Sequence, residues 1–142
     1  MIREFRRSDT DAVIKIWLDA SIIAHNFIEK DFWISKTDDM KNIYIPGSET
    51  YVYENSSGIC GFFSLNKNSL AAIFVTPAQQ GNGIGRQMIR KAMELRNSLN
   101  LTVYTENSGG ISFYKKAGFY VVKENVDINT GHQELLMEWS SE

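Results

Sequence analysis

Gln80-Gly81-Asn82-Gly83-Ile84-Gly85-Arg86 places three glycines in five residues, between an apolar strand-like run and an amphipathic helical run. No other segment constrains the fold as strongly. The first N–H groups of a helix have no intrahelical partner, the helix dipole is positive there, and glycine lets an anion approach the backbone closely. The junction is therefore a candidate anion site, and a strand must lead directly into a helix at this point.

The flanking patterns supply the rest of a sheet. Upstream, Thr50–Glu54 (TYVYE), Ile59–Leu65 (ICGFFSL) and Leu70–Thr76 (LAAIFVT) are strand-like. Asn55-Ser56-Ser57-Gly58 and Asn66-Lys67-Asn68-Ser69 link them with the short, turn-rich spacing of antiparallel hairpins. Met1–Phe5 reads as a further short strand. Downstream, Ile84, Met88, Ile89, Ala92 and Leu95 repeat at helical spacing, Leu101–Glu106 reads as a strand, and Gly110–Ala117 as a short helix that Gly118 ends with a left-handed cap. Tyr120–Val126 and Glu134–Trp139 then flank a turn at Asn129-Thr130-Gly131. Near the N-terminus, Ser8 is the expected cap of a helix whose buried face carries Val13, Ile16, Trp17, Ala20 and Ile23/Ala24. A second amphipathic helix is expected from Asp31 to Tyr44, closed by Pro46-Gly47. The sum is a mixed α/β (α+β) fold: one central twisted mixed sheet of about seven strands, mostly antiparallel, with helices on both faces.

Composition narrows the function. A chain of 142 residues with 43% hydrophobic and 23% charged residues has the make-up of one globular domain, read as spanning 1–142. Fifteen Lys plus Arg against seventeen Asp plus Glu leaves no basic excess, so neither nucleic acid nor a membrane is expected as partner. With one cysteine, Cys60, an internal disulfide is impossible and no metal site is expected; Cys60 reads as a buried, inert thiol. MIREFRRSDT lacks the apolar run of a signal peptide, so a cytoplasmic location is the expectation.

Three loops could use the glycine run. A Walker loop needs Lys after its last glycine, where this chain has Arg86. A dinucleotide fingerprint counted from Gly81 needs glycine where Arg86 stands, although Glu106 imitates its acidic residue; the loop also follows a hairpin meander instead of opening a βαβ repeat. The third possibility is a family resemblance. Gln80-x-x-Gly83-x-Gly85 resembles the acyl-CoA pyrophosphate loop, Gln/Arg-x-x-Gly-x-Gly/Ala, of the GCN5-related N-acetyltransferases (GNAT). Asn107-Ser108-Gly109-Gly110-Ile111-Ser112-Phe113-Tyr114-Lys115-Lys116-Ala117-Gly118-Phe119 resembles the same family's Asn-x-x-Ala-x-x-Phe-Tyr-x-x-x-Gly-Phe block, with Gly110 where Ala is usual.

The resemblance implies the acyl-CoA N-acyltransferase fold and direct transfer of an acetyl group from acetyl-CoA to a primary amine in a ternary complex, with no metal. It implies that backbone N–H groups of Gln80, Gly81, Asn82, Gly83, Ile84 and Gly85, with Arg86, hold the pyrophosphate, and that pantetheine inserts beside the strand ending Ile73-Phe74-Val75. A backbone N–H near Phe74 or Val75 would receive the oxyanion. Tyr114 is the candidate general acid, and Asn107 the cap of the following helix and a possible cofactor contact. Many family members carry a Glu on the strand before the glycine loop, and this chain has none there. Glu106, His25, Tyr44 or a water chain are the candidate routes for deprotonating the amine. Glu29, Asp31, Asp38 and Asp39 would favour a cationic acceptor if they border its cleft, and Phe27, Ile28 and Trp33 either line that cleft or fill the core. The acceptor is expected to be a protein or peptide lysine, an N-terminus or a small amine, and the protein a monomer or homodimer. The missing strand carboxylate keeps a second reading open, a CoA-sensing module without catalysis.

Overall fold

The computed structural model describes residues 1–142. Its strands are β1 (Ile2–Glu4), β2 (Glu49–Asn55), β3 (Gly58–Asn66), β4 (Ser69–Val75), β5 (Ser98–Tyr104), β6 (Tyr120–Val126) and β7 (Gln133–Ser140). Its helices are α1 (Thr10–Ala24), α2 (Lys30–Ser35), the single turn α3 (Thr37–Asp39), α4 (Ile84–Leu95) and α5 (Ser108–Ala117). The seven strands form one sheet in the order β1-β2-β3-β4-β5-β7-β6, antiparallel everywhere except between β4 and β5. The expected fold class is the one observed. No helix is long and apolar enough to cross a membrane.

Alternation along β3 divides the core. Phe62 points to the face covered by α1 and α2, where it joins Val13, Ile16, Trp17, Trp33, Ile45 and Val52. Phe63 points to the other face, where α4 brings Ile84, Met88, Ile89 and Ala92 against Leu65, Leu99 and Leu101. Both phenylalanines are fully buried, each worth roughly 2–3 kcal/mol in water-excluded area. Ile28 and Trp33 are buried in the α1–α2 cluster, which settles them as core. Cys60 is buried on the opposite face, and burial pushes its thiol pKa up, in keeping with an inert side chain.

Three local expectations need correction. Ser8 does not cap α1. A 3₁₀ turn at Arg7–Asp9 precedes that helix, and Asp9 accepts the Arg6 N–H at 2.7 Å and the Arg3 guanidinium at 2.9 and 3.0 Å. The helix expected from Asp31 to Tyr44 is broken into α2, α3 and a π turn at Met40–Tyr44, whose wide closure carries Ile45 into the core. The strand expected at Leu101–Glu106 is β5, which starts at Ser98 and stops at Tyr104.

Candidate active site

The β4–β5 junction follows from strand chemistry. Their register contains one residue pair, Ser69 with Asn100, and the Asn100 N–H bonds the Asn68 carbonyl at 2.9 Å. Immediately beyond, β4 carries an extra residue: Leu65 pairs with Leu70 but Ser64 with Ala72, which leaves Ala71 as a bulge. The two strands part from there on.

Antiparallel pairing directs the backbone groups of alternate residues to opposite neighbours. The Thr76 N–H bonds the Cys60 carbonyl at 2.8 Å, so Thr76, Phe74 and Ala72 face β3, while Val75 and Ile73 face the gap. The Thr105 N–H bonds the Gln133 carbonyl at 2.9 Å, so Val103 and Leu101 face β7, while Tyr104 and Thr102 face the gap from its other side. Two carbonyls on these gap-facing residues are already occupied. Val75 accepts from the Gln80 side chain at 3.0 Å, and Tyr104 accepts from the Asn107 N–H at 2.9 Å. No residue of β5 beyond Asn100 pairs with β4, so the N–H groups of Ile73 and Val75 on one wall and of Tyr104 on the other face the gap, open to a guest.

The glycine run closes one end. Gly81 and Gly83 have φ of +86° and +83°, left-handed values that an L side chain adopts only with strain. That turn brings α4 in so that its first intrahelical bond is Gln87 N–H to the Gly83 carbonyl, leaving the N–H groups of Ile84, Gly85 and Arg86 without helical partners. Gly85 is small for a separate reason. A Cβ there would stand 3.3 Å from the Phe113 ring of α5. Asn107 caps α5, its Oδ1 accepting the Gly110 N–H at 3.0 Å. A Cβ on Gly110 would lie 2.6 Å from Asn107 Nδ2, which accounts for glycine where the family block usually has alanine.

Gap, loop and flanking helices enclose a cleft of about 1040 Å³. It gathers Phe74, Val75, Gln80, Gly81, Gly83, Ile84, Gly85, Arg86, Asn107, Tyr114 and His25. Asn82 stays outside and braces the loop through its side-chain bond to the Gln79 carbonyl at 3.2 Å. Glu106 also lies outside, exposed, with the His132 Nδ1 at 3.1 Å. Tyr44, Glu29, Asp31, Asp38 and Asp39 do not reach the cleft either.

Tyr114 is half-buried, its hydroxyl makes no hydrogen bond to the protein, and burial pushes its pKa up to about 12. His25 follows the last turn of α1 with 9% of its surface exposed. It stacks on Trp33 at 5.1 Å and meets the Tyr104 ring edge-on at 5.2 Å; its Nδ1 is buried without a partner, and burial lowers its pKa to about 4. The imidazole is therefore neutral at pH 7.

Sequence reading missed two carboxylates in this cleft, Asp127 and Glu134. Tyr104 stands directly across from Glu134 in the β5–β7 register, so both side chains share the α1–α2 face. The Tyr104 hydroxyl donates to Asp127 Oδ2.

The family model for the acetyltransferase (GNAT) domain matches residues 46–121, which hold β2 through α5 and the glycine loop. The chain belongs to the GNAT family. It is 30% identical to the peptidyl-lysine N-acetyltransferase YiaC of Escherichia coli K12 over 98% of this chain and 96% of the relative. The solution structure of apo YjaB from Escherichia coli superposes with a TM-score of 0.86 at 25% identity, covering 97% of this chain and 95% of that one. The fold is shared as well with the PaiA N-acetyltransferase of Thermoplasma acidophilum, solved in complex with coenzyme A, at a TM-score of 0.81, 19% identity and coverage of 99% and 98%. This GNAT chain is accordingly an N-acetyltransferase, with the glycine run and the Asn107–Phe119 block flanking its cleft.

Proposed function

We propose that this enzyme moves the acetyl group of acetyl-CoA to the side-chain amine of a peptidyl lysine by direct attack. The observation that carries the reading is the parted β4–β5 pair, with unpaired N–H groups along both walls and an anion-binding helix start at one end. A pantetheine arm has amides that suit those walls. The N–H groups of Ile84, Gly85 and Arg86, with the Arg86 guanidinium, take the pyrophosphate, and PaiA bound to coenzyme A supplies the precedent for the donor. The lysine acceptor is drawn from the relative YiaC, a peptidyl-lysine N-acetyltransferase.

Strand parity chooses the oxyanion donor. The Phe74 N–H is directed at β3, so the Val75 N–H is the group free to receive the carbonyl oxygen as it becomes an oxyanion. The neutral amine attacks the thioester carbon, the C–N bond forms and the C–S bond breaks. Tyr114 donates its proton, or a full hydrogen bond, to the departing sulfur, and the proton shed by the nitrogen restores the phenol through solvent. A phenol near pKa 12 is a weaker acid than a thiol near ~8.5, so its main contribution is hydrogen bonding to the developing thiolate. His25, neutral and of low basicity, serves better as a wall of the acceptor side than as a base.

The test is mass spectrometry of lysine peptides with blocked N-termini after incubation with protein and acetyl-CoA. Acetylated lysine with stoichiometric release of CoA thiol is expected. Acetyl-CoA binding with no transfer to any amine would favour the CoA-sensing reading instead.

A further inference from the structure

The sheet has two edges of unequal length. β1 at one edge is three residues long, whereas β6 at the other runs for seven and pairs with β7 alone. Of the ten large hydrophobic residues that the chain exposes, five fall within nine positions of this second edge and the turn after it: Tyr120, Val121, Val122, Val126 and Ile128. Scattered exposed apolar residues are ordinary, but a run of them on an unpaired strand is a template for another strand.

Backbone parity shows which groups of β6 are free. The Asp127 N–H bonds the His132 carbonyl at 2.9 Å, and pairing with β7 is regular from Lys123 onward, so Asp127, Asn125 and Lys123 direct their backbone groups at β7. Glu124 and Val126 direct theirs away from the sheet. The bulge at Val122 marks where this flat stretch begins. Lys123 and Asn125 stand opposite Leu136 and Glu134, and Asp127 accepts the Tyr104 hydroxyl, so these three side chains share the α1–α2 face. Neither Lys123 nor Asp127 belongs to an ion pair within the chain.

A second copy adds antiparallel to this edge only about a two-fold axis normal to the sheet, which sets one residue opposite its own counterpart. Centring on Lys123 or on Glu124 opposes like charges, which is destabilising. Centring on Val126 leaves Lys123 and Asp127 facing asparagines. Centring on Asn125 sets Glu124 against Val126 of the other copy, so the outward backbone groups satisfy one another, and sets Lys123 against Asp127 on both sides of the axis.

We infer that β6 is a homodimer interface, at which two copies join their sheets antiparallel about Asn125 with Lys123 of each paired to Asp127 of the other. The occupant is a second copy because a lysine and an aspartate four residues apart complement themselves when the strand is reversed. Asp127 borders the cleft, so each copy brings a cation to the rim of the other's cleft. This interface goes beyond acetyl transfer and does not rest on it.

Sedimentation velocity of the full chain from about 1 to 500 µM, the range suited to a small interface, should show monomer giving way to dimer. Val126→Pro removes an outward N–H without touching β7, and Lys123→Glu sets like charges against each other; each should weaken the dimer by about tenfold or more. Circular dichroism unchanged from wild type reports an intact fold in both. Asn125→Cys tests the register. Residues opposed in a pair without mutual backbone bonds lie about 4.5 Å apart at Cα, within disulfide reach, so mild oxidation should cross-link this variant between copies and leave Glu124→Cys uncross-linked. The native Cys60 is buried and adds no bridge. Wild type that stays monomeric throughout overturns the interface, and so does a dimer equally tight in Val126→Pro and Lys123→Glu, which must use another surface. Cross-linking of Glu124→Cys in place of Asn125→Cys overturns the centring on Asn125. A monomer whose Glu124 and Val126 amides gain hydrogen-exchange protection only when a lysine peptide is added gives the edge to a peptide strand and overturns the dimer.

Discussion

His25 links acid stability to the architecture of the cleft. Its pKa of about 4 in the folded protein compares with about 6.5 for an exposed histidine. The unfolded chain therefore binds more protons than the folded one between those values, and stability must fall as pH drops through that window. The full difference, at about 1.4 kcal/mol per pH unit, is worth roughly 3 kcal/mol, all of it present above pH 6.5. Between pH 7 and pH 5 the loss comes to about 2 kcal/mol. Asp9, Glu49 and Glu54 have lowered pKa values and contribute their losses only at more acid pH, whereas Glu134, with a raised pKa, acts in the opposite direction. All four remain in His25→Phe, as does His132, so the difference between the two proteins isolates His25. Because Nδ1 has no partner, the ring can be replaced without orphaning a donor or acceptor. Urea unfolding followed by Trp fluorescence, at pH 7 and pH 5, should show wild type losing about 2 kcal/mol more than His25→Phe on acidification. A difference under about 0.5 kcal/mol would show that burial does not hold the His25 imidazole neutral, and His25→Gln repeats the measurement if phenylalanine overpacks the site.

Tyr114→Phe should lower kcat by about 10- to 100-fold, the value of a hydrogen bond to a charged sulfur, with acetyl-CoA affinity changed less than about threefold; unchanged turnover removes Tyr114 from the chemistry. Val75→Pro deletes a gap-facing N–H, so the protein should fold while kcat falls about 10²- to 10³-fold, whereas Phe74→Pro deletes a bond to β3 and should unfold the sheet; circular dichroism and turnover together check the pair. Gly83→Val forces a β-branched residue to φ near +83° and should weaken acetyl-CoA binding in calorimetry by tenfold or more, with wild-type affinity counting against the loop assignment. Gly110→Ala must displace the Asn107 cap, and thermal unfolding should register a net loss of up to about 1 kcal/mol after the gain in helix propensity is set against it.

Period-two alternation and turn residues made the sheet legible from sequence, and Gly118 ended α5 where a left-handed cap was expected, at φ +109°. The misreadings arose where distant groups outweighed local ones. Ser8 had the right composition for a cap, but Arg3 reaches across six residues to Asp9 and builds the entry to α1 around that carboxylate. Leu99 already alternated with Leu101 and Val103, so the true start of β5 was visible, whereas its end at Tyr104 depends on the Asn107 N–H taking the Tyr104 carbonyl. Asp127 and Glu134 escaped because each meets Tyr104 only through the β5–β7 register and the β6–β7 turn, some thirty residues after β5 begins. A lone glutamate heading the apolar run Leu135-Leu136-Met137 was the available signal.

The missing strand glutamate takes on a different meaning once the faces of the sheet are known. On β4, side chains at Ala72 and Phe74 face α1, the side proposed for the acceptor, while Ile73 and Val75 face α4. A carboxylate on β4 could serve an incoming amine only from position 72 or 74, and both are occupied by apolar, half-buried residues packed against the α1 cluster. The negative charge instead sits across the gap, where Tyr104 and Glu134 present their side chains on that same α1–α2 face. The gap is lined on both walls by backbone groups and has no polarity of its own that fixes which strand must carry the acid. Charge can thus cross from one wall to the other while the donor channel, the Val75 N–H and the Tyr114 hydroxyl remain where they are, so the absence of a β4 carboxylate does not weigh against catalysis in this chain.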